Sequence, residues 1–560
     1  MDQEQGRAGP PNKTGTSARV LVWWRVGVVA VLVISAAALS HRIGAPFTGW
    51  HEWNSAWYSY FARNHLQYGL GYTVGLCTHG HTEEAPKEAS RYLSHPPLIA
   101  IWVAVPMAVF GDHEWACRLV PIVCTLGSAL LVMVMARRLA PRDPPELGAV
   151  LSVLVGLCYV VLPITAYFGR MIDHVPVGQF FCLLMLHGYA QWCGLYGERR
   201  RGLGAAWYVV GCVCGIGTAW AAAIMAGLIW WWHVVRMIRS RGGWGVLVVL
   251  TLVPAAALAA VAVQILWALG WDASLFWPLL ATRSFGTRPE MPQPVLEWLR
   301  ILGAYWRMNY TLFGAVAVGV YAVGVLVCAA MRGGGPVRRL FRARGLRTVF
   351  GLAALQGLIF VVAFKNQSWI HEYWQYFMAP AVAFCLGAVI CAVYLALRRV
   401  HILVGAAAAV ALVVALLPKY TEGWRDSFWA NWQEYHERRH IPDEYVEAFE
   451  LLNDAEAGVE PFAPVMTFRN WRPYEDSFGE YMHSYMQPQI AYYARRPLIF
   501  EQKLSAVLAN EVGAAAYVLE MNVPESARAR VEAMAAELKR RFETQQVGGQ
   551  LIVFLRRPIS

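Results

Sequence analysis

Charge is scarce in this chain. Only 15% of its 560 residues are Asp, Glu, Lys or Arg, while 57% are hydrophobic. Soluble domains carry about 25% charged residues, so this composition excludes an ordinary soluble protein and points to a polytopic membrane protein. Acids are the scarcer sign, 37 against 48 basic residues, giving a formal charge of +11. The excess falls in short runs between apolar segments rather than in one stripe, as Lys and Arg do on the cytoplasmic face of a membrane protein. Membrane lipids are therefore expected partners and nucleic acid is not. A cysteine framework is also missing: most of the eleven cysteines lie in apolar stretches, and Cys212-Val213-Cys214 has the wrong spacing for a CxxC pair. There is no internal repeat. No small-residue cleavage site follows the first apolar run, which reads as a retained span and not as a signal peptide.

Roughly eleven spans are expected. The first, 20–39, has the length needed to cross a hydrocarbon core of about 30 Å at 1.5 Å per residue. The others are 116–136, 147–165, 175–196, a hairpin over 203–235 turning near Thr218, 246–269, 310–330, a ninth ending at Phe364, 377–397 and 402–417. With this count the basic runs at 137–138, 199–201, 236–241, 332–347 and 398–399 share one face, taken as cytoplasmic. The polar loops holding Glu52, His95, Asp173 and His371 then share the opposite face. The prolines between 271 and 309 exclude a continuous helix there. From Lys419 the composition turns mixed and charged, with short apolar strands expected at 465–468, 498–500, 516–520 and 551–555 and a helix at 525–542. The expected architecture is an all-α polytopic membrane protein with a small C-terminal α/β domain. Residues 1–19 form a disordered cytoplasmic tail, 20–418 the membrane domain and 419–560 the extracytoplasmic domain.

Aromatic residues are plentiful, with 25 tryptophans and 25 tyrosines. Many stand among ionisable groups in the connection 41–97. A link between spans needs only a handful of residues, so a long one containing Arg63, His79, His81, Glu83, Glu84, Lys87 and Arg91 is where chemistry is expected. It opens with Gly49-Trp50-His51-Glu52-Trp53-Asn54 and closes with Ser94-His95-Pro96-Pro97-Leu98. Residues 56–70 predict an amphipathic helix along the membrane surface, with Trp57, Phe61 and Leu66 toward one side. Residues 97–110 are apolar but short, which predicts a surface or re-entrant helix.

Four motifs in order resemble the GT-C glycosyltransferases that use polyprenyl-phosphate sugars, in the branch of protein O-mannosyltransferases and lipid A aminoarabinose transferases. They are Tyr58 to Gly69, His95-Pro96-Pro97-Leu98 with Ala116-Cys117-Arg118-Leu119-Val120-Pro121, Gly169-Arg170-Met171-Ile172-Asp173, and His371-Glu372-Tyr373-Trp374 ahead of Pro380. The resemblance runs from about Gly49 to Arg399 and implies an integral-membrane glycosyltransferase of the inner membrane, taking a sugar from a polyprenyl-phosphate donor. The sugar and the acceptor, whether protein, lipid or glycan, stay open. One departure concerns the acidic pair that relatives often keep before the helix tyrosine: that register falls here on Asn54 and Ser55, and Glu52 is the nearest carboxylate. The resemblance fixes no cofactor, and a divalent metal is left as an option.

Glycosyl transfer from a lipid phosphate calls for a base near the acceptor hydroxyl and for cations or donors near the departing phosphate. Glu52 is the candidate base, and an ion pair with Arg63 or Arg91 is the plainer alternative. The resemblance draws Asp173 into the active site, although an ion pair within Arg170, Asp173 and His174 would also satisfy that turn. His95 is the candidate donor to the phosphate, against a histidine that caps the next helix. His51, Asn54, Tyr58, Arg63, Arg170, His174, Lys365, His371, Glu372 and Tyr373 complete the expected substrate-binding set. A transporter or lipid flippase is the rival of another class. It would be expected to show repeats and mid-membrane ionisable groups. A catalytically inactive relative is the third reading.

Overall fold

The computed structural model describes residues 13–559 except 81, 88–90, 198–199, 241–242, 273, 275–293, 332–334, 416–443, 455–456, 468–487, 502 and 523–524. The chain begins with α1 (Lys13–Leu39), the loop helix α2 (Glu52–Thr73), an antiparallel pair of β1 (Cys77–Thr78) with β2 (Arg91–Tyr92), and the short apolar α3 (Leu98–Phe110). There follow α4 (Glu114–Leu139), α5 (Leu147–Val161), α6 (Pro163–Phe168), α7 (His174–Trp192), α8 (Arg201–Thr218), α9 (Trp220–Ser240) and α10 (Trp244–Ala268). The membrane part closes with α11 (Val295–Ala330), α12 (Arg344–Ala363), α13 (Lys365–Ile370), a 3-10 turn (Glu372–Met378), α14 (Ala379–Leu397) and α15 (Ile402–Ala415).

The eleven expected spans correspond to α1, α4, α5, α7 to α12, α14 and α15. Among the described residues seven helices are long and apolar enough to cross a bilayer by themselves. The chain is a multi-pass membrane protein. The expected hairpin near Thr218 is there: α8 ends at Thr218, Ala219 is extended at φ −150°, and α9 starts at Trp220. α7 and α8 press together through small residues, so closely that a Cβ on Gly211 would lie 2.6 Å from the Met185 amide nitrogen.

Three expectations change. α1 starts at Lys13, inside the stretch expected to be disordered, while residues 1–12 lie outside the described residues. α11 starts at Val295 and not near 310: Pro294 ends the proline-rich stretch at the helix N-cap, where a missing amide costs nothing, and the helix breaks again at Thr311, φ 59°. α2 is longer than expected and is not amphipathic in the expected sense. Trp57 and Phe61 are buried but Leu66 is 47% exposed, and nearly every side chain from Glu52 to His65 is buried regardless of face. A helix buried on all sides at this composition must satisfy its polar groups internally, which makes it the natural place to look for a site.

The C-terminal part forms a five-stranded sheet in the order β4-β3-β5-β7-β6, built from β3 (Val465–Thr467), β4 (Leu498–Phe500), β5 (Ala516–Glu520), β6 (Phe542–Val547) and β7 (Gln550–Pro558). β3 runs parallel to β4 and β5, whereas β7 is antiparallel to β5 and β6. Alternation along β5 serves two cores. Tyr517 and Leu519 pack with Val531, Met534 and Leu538 of α18 (Glu525–Arg541), numbered after α16 (Glu444–Asn453) and α17 (Pro488–Ala494). Ala516 and Val518 face Phe449, Leu452 and Tyr492, in a core that continues into Trp57 and Phe61 of α2 and Ile99 and Val103 of α3. The sheet domain therefore rests on the loop helix.

Candidate active site

The turn before α2 aims the first of the candidate residues. His51 sits at the N-cap with φ 56°, a left-handed conformation that non-glycine residues adopt sparingly and that tends to mark functional turns. Its ring nitrogen Nε2 lies 2.9 Å from Glu372 Oε2, and Trp50 Nε1 donates to Glu372 Oε1 at 2.5 Å. Tyr167 donates to the Trp50 carbonyl at 2.8 Å, and Asn54 donates to the Tyr373 hydroxyl at 3.0 Å. The His51 ring stands edge-on to His371 and Tyr373, with centroids 5.4 and 5.0 Å away. Thus the 371–373 turn, more than 300 residues later, closes one side of the α2 N-terminus.

Glu52 itself points to the other side. Its Oε1 accepts from Arg118 Nη2 at 3.1 Å and lies 3.9 Å from Arg170 Nη2. Arg118 is fully buried in the first turns of α4, donates to the carbonyls of Ile43 and Ala45 at 2.7 and 2.5 Å, and lies 4.6 Å over the Phe47 ring. Arg170 donates to the His41 carbonyl, and burial, with Arg118 next to it, lowers its pKa to about 10. Glu52 Oε2, by contrast, is buried with no hydrogen-bond partner, and so are Nε of Arg118 and Nε of Arg170. One carboxylate oxygen and two guanidinium N–H groups of this buried cluster are left unsatisfied, as expected where a ligand completes the bonding.

Asp173 caps α7, accepting from Val175 N at 3.2 Å, and pairs with His174 Nδ1. His174 stacks on His95 with centroids 4.2 Å apart, and both rings pack near Trp374. Ser55 of α2 accepts from Ile172 N at 3.2 Å. Tyr58, whose phenol is pushed far above its ordinary range by burial with Tyr92 and Asp173 adding to it, stands beside Asp173. Glu52 is therefore level with Arg170 and Tyr58 with Asp173, about 9 Å apart along the α2 axis at 1.5 Å per residue. The 169–174 loop carries both groups.

Two candidates go elsewhere. Lys365 lies 5.8 Å from the Trp298 ring of α11. Arg63 faces the sheet domain: it bonds Asp112 at 2.7 Å and the Tyr492 carbonyl at 2.8 Å, and lies 4.3 Å over the Tyr492 ring. Neither Arg63 nor Arg91 pairs with Glu52, because Arg118 does. Arg91 donates to the carbonyls of Ala268 and Tyr72. Tyr492 OH also donates to Asp112 at 2.8 Å and Tyr493 OH to Glu114 at 2.9 Å, so α17 is bolted to the 111–114 turn. Trp50, Arg118 and Trp374 stand inside the sequence motifs without a role assigned to them there, and Asp112 and Tyr492 are outside the expected set. For Arg118 the signal was available, since an arginine in the first turns of an apolar span needs a carboxylate or carbonyls to pair with.

The Asp112 network carries a pH dependence. Burial by itself would raise the carboxyl, but Arg63, with Arg495 and the Tyr492 hydroxyl, holds it below the usual carboxylate range. A depressed folded-state value stabilises the docked form fully above about pH 4 and ceases to do so as the pH falls through that value. Asp112→Asn should therefore loosen the sheet domain at neutral pH, seen as faster limited proteolysis of that domain, and the difference from wild type should shrink below about pH 4. A proteolysis rate identical to wild type at pH 7 would remove Asp112 as a docking group.

A divalent metal does not fit this donor set. Among the described residues no group of three or more His, Cys, Asp and Glu side chains could hold one. Glu52 Oε1 faces two guanidiniums, which leaves Oε2 as that carboxylate's one open oxygen, while Glu372 is held by His51 and Trp50 and Asp173 by His174. A metal ion next to Arg118 and Arg170 would meet like charge.

Comparison with solved structures places the architecture. ArnT from Cupriavidus metallidurans bound to undecaprenyl phosphate superposes over 95% of this chain and 98% of its own, with a TM-score of 0.55 at 14% sequence identity. The fold is GT-C. Within that GT-C fold, the first-loop helix, the turn after α6 and the late 3-10 turn meet where the buried carboxylates lie. Over 221 residues the chain is 28% identical to an undecaprenyl phosphate-alpha-4-amino-4-deoxy-L-arabinose arabinosyl transferase from Pseudomonas aeruginosa, 37% of each chain. Over 211 residues it is 26% identical to one from Pseudomonas fluorescens, 33% of this chain and 37% of that one. The match thus spans little more than a third of the curated relatives' length. No family model matches the chain.

Proposed function

We propose that this protein is a glycosyltransferase of the inner membrane that moves a sugar from a polyprenyl-phosphate carrier to an acceptor hydroxyl or amine outside the cytoplasm. The observation that carries the reading is the buried Glu52 carboxylate, fixed through one oxygen by Arg118 and Arg170 and unsatisfied at the other, in a GT-C fold. In the reaction the acceptor heteroatom bonds to the anomeric carbon as the bond from that carbon to the phosphate oxygen breaks. The acceptor proton passes to Glu52 Oε2, and the carrier phosphate leaves as an anion. Arg170 within the 169–174 loop and His95, stacked on His174 at its end, supply a cation and a donor that would hold that phosphate, while Asp173 orients His174 against His95. His51, Asn54 and Tyr373 line the side closed by the 371–373 turn and fit a role in positioning the sugar. The partial match to aminoarabinose transferases favours an amino-pentose on an undecaprenyl carrier over a hexose.

The test is transfer by the full chain in nanodiscs, followed as release of undecaprenyl phosphate from undecaprenyl-phosphate pentose and hexose donors with a lipid A acceptor. His95→Ala should raise the donor KM by the equivalent of about 1.5–3 kcal/mol, the value of a charge-assisted hydrogen bond, with a smaller change in kcat. No release from either donor by the wild-type protein would end the reading, and an unchanged donor KM would take His95 out of the phosphate site.

A further inference from the structure

The end of the helical bundle away from Glu52 holds a second basic site. Arg137 lies about 28 Å beyond Arg118 along α4 at 1.5 Å per residue. There a cavity of about 640 Å³ opens between α1, α4 and α5, lined by Arg137, Arg138, Arg142 and Arg200 together with Trp24 and Tyr196. Arg137 stacks 3.9 Å over the Trp24 ring and Arg138 lies 5.4 Å from that of Tyr196. Stacking fixes the plane of a guanidinium and leaves its edge N–H groups directed outward, the geometry that suits phosphate oxygens.

The nearby acids are spoken for. Asp143 pairs with Arg339 at 2.6 Å and Glu146 with Arg398. Among the described residues no carboxylate pairs with Arg137, Arg138 or Arg142, so three cations share one cavity without a countercharge of their own. Gln191 adds an independent sign of a missing ligand. It lines the cavity, is 5% exposed and gives its Nε2 to His187 at 2.8 Å, but its Oε1 is buried without a partner. A ligand that brings phosphate oxygens to the arginines and a hydroxyl to Gln191 would satisfy every one of these groups. Val20 and Val134 continue the wall toward the bilayer, where acyl chains would lie.

We propose that this cavity binds the phosphate headgroup of an anionic, hydroxyl-bearing lipid, on the membrane face opposite the Glu52 site. Basic pockets between helices recognise headgroups in this way, each basic residue near the surface contributing a factor of about five in affinity. The proposal is independent of the transferase reading. The experiment measures equilibrium binding of acyl-labelled phosphatidylglycerol and phosphatidylcholine to the full chain in neutral detergent. Phosphatidylglycerol should bind at least about tenfold more tightly, and Arg138→Gln with Arg142→Gln should lower its affinity by about tenfold or more. Both residues are exposed, so the pair can be changed without emptying the core. Arg342→Gln with Arg344→Gln removes the same charge from exposed positions outside the cavity and should leave affinity within about twofold. Displacement by millimolar inorganic phosphate would assign the site to the free ion, keeping the phosphate chemistry but not the lipid; resistance to displacement supports the headgroup. Equal losses in the two double variants, or no preference for phosphatidylglycerol in the wild type, would overturn the proposal.

Discussion

Glu52→Gln should lower turnover by about 100-fold or more while leaving donor KM within a few fold. The substitution keeps the size of the side chain and its hydrogen bond from Arg118 but removes the proton acceptor, and general-base catalysis contributes about 100- to 10,000-fold. It also leaves two buried guanidiniums without their carboxylate, which lowers stability as well. Measuring the melting temperature alongside kcat separates the two. If Glu52 serves only the ion pair, activity per folded molecule stays near wild type and the proposed base is wrong. Glu52→Asp restores the charge but withdraws it by one methylene, and intermediate turnover is expected because the proton must travel further to reach it.

Arg118→Met is the second large effect, and it falls first on stability. Arg118 has no exposed surface, satisfies two carbonyls of the 43–45 turn and neutralises Glu52. Removing one partner of a buried pair costs about 3–5 kcal/mol, because the remaining charge is left without compensation. The double variant Glu52→Gln with Arg118→Met is the informative one. It removes both charges together, so stability should recover by about half or more of the single-variant loss. Turnover should not recover, since no base is left. Recovery of both would assign Glu52 a purely structural role; recovery of neither would mean that Arg118 works through the carbonyls of Ile43 and Ala45 and not through Glu52.

Much of the membrane part was legible in the sequence. Spans are governed by a local quantity, the length of an apolar run against the thickness of the bilayer, and basic flanks mark their ends. That is why the turn at Thr218 and the short helix Leu98–Phe110 could be placed without any tertiary information. The strands at 465–467, 498–500 and 516–520 were equally local, being short apolar runs between polar breaks. The start of α11 was not, because a proline-rich stretch marks where a helix cannot run but not how soon after the last proline it resumes.

The order of the motifs likewise marked the 49–54, 95, 170–174 and 371–373 segments as belonging together. What the sequence determined by itself was therefore the membrane class, the spans, the GT-C likeness and the segments that form the candidate site. Only the tertiary structure decided who pairs with whom. Arg63, Arg91 and Arg118 are all within reach of Glu52 in sequence terms, and pairing depends on which guanidinium is delivered to the carboxylate in a dry interior. Arg118 arrives from α4, whereas Arg63, about 16 Å further along α2 at 1.5 Å per residue, is taken by Asp112 and Tyr492. Burial makes that choice stringent, since an unpaired charge there costs far more than at a surface, and no sequence pattern encodes the orientation of one helix against another.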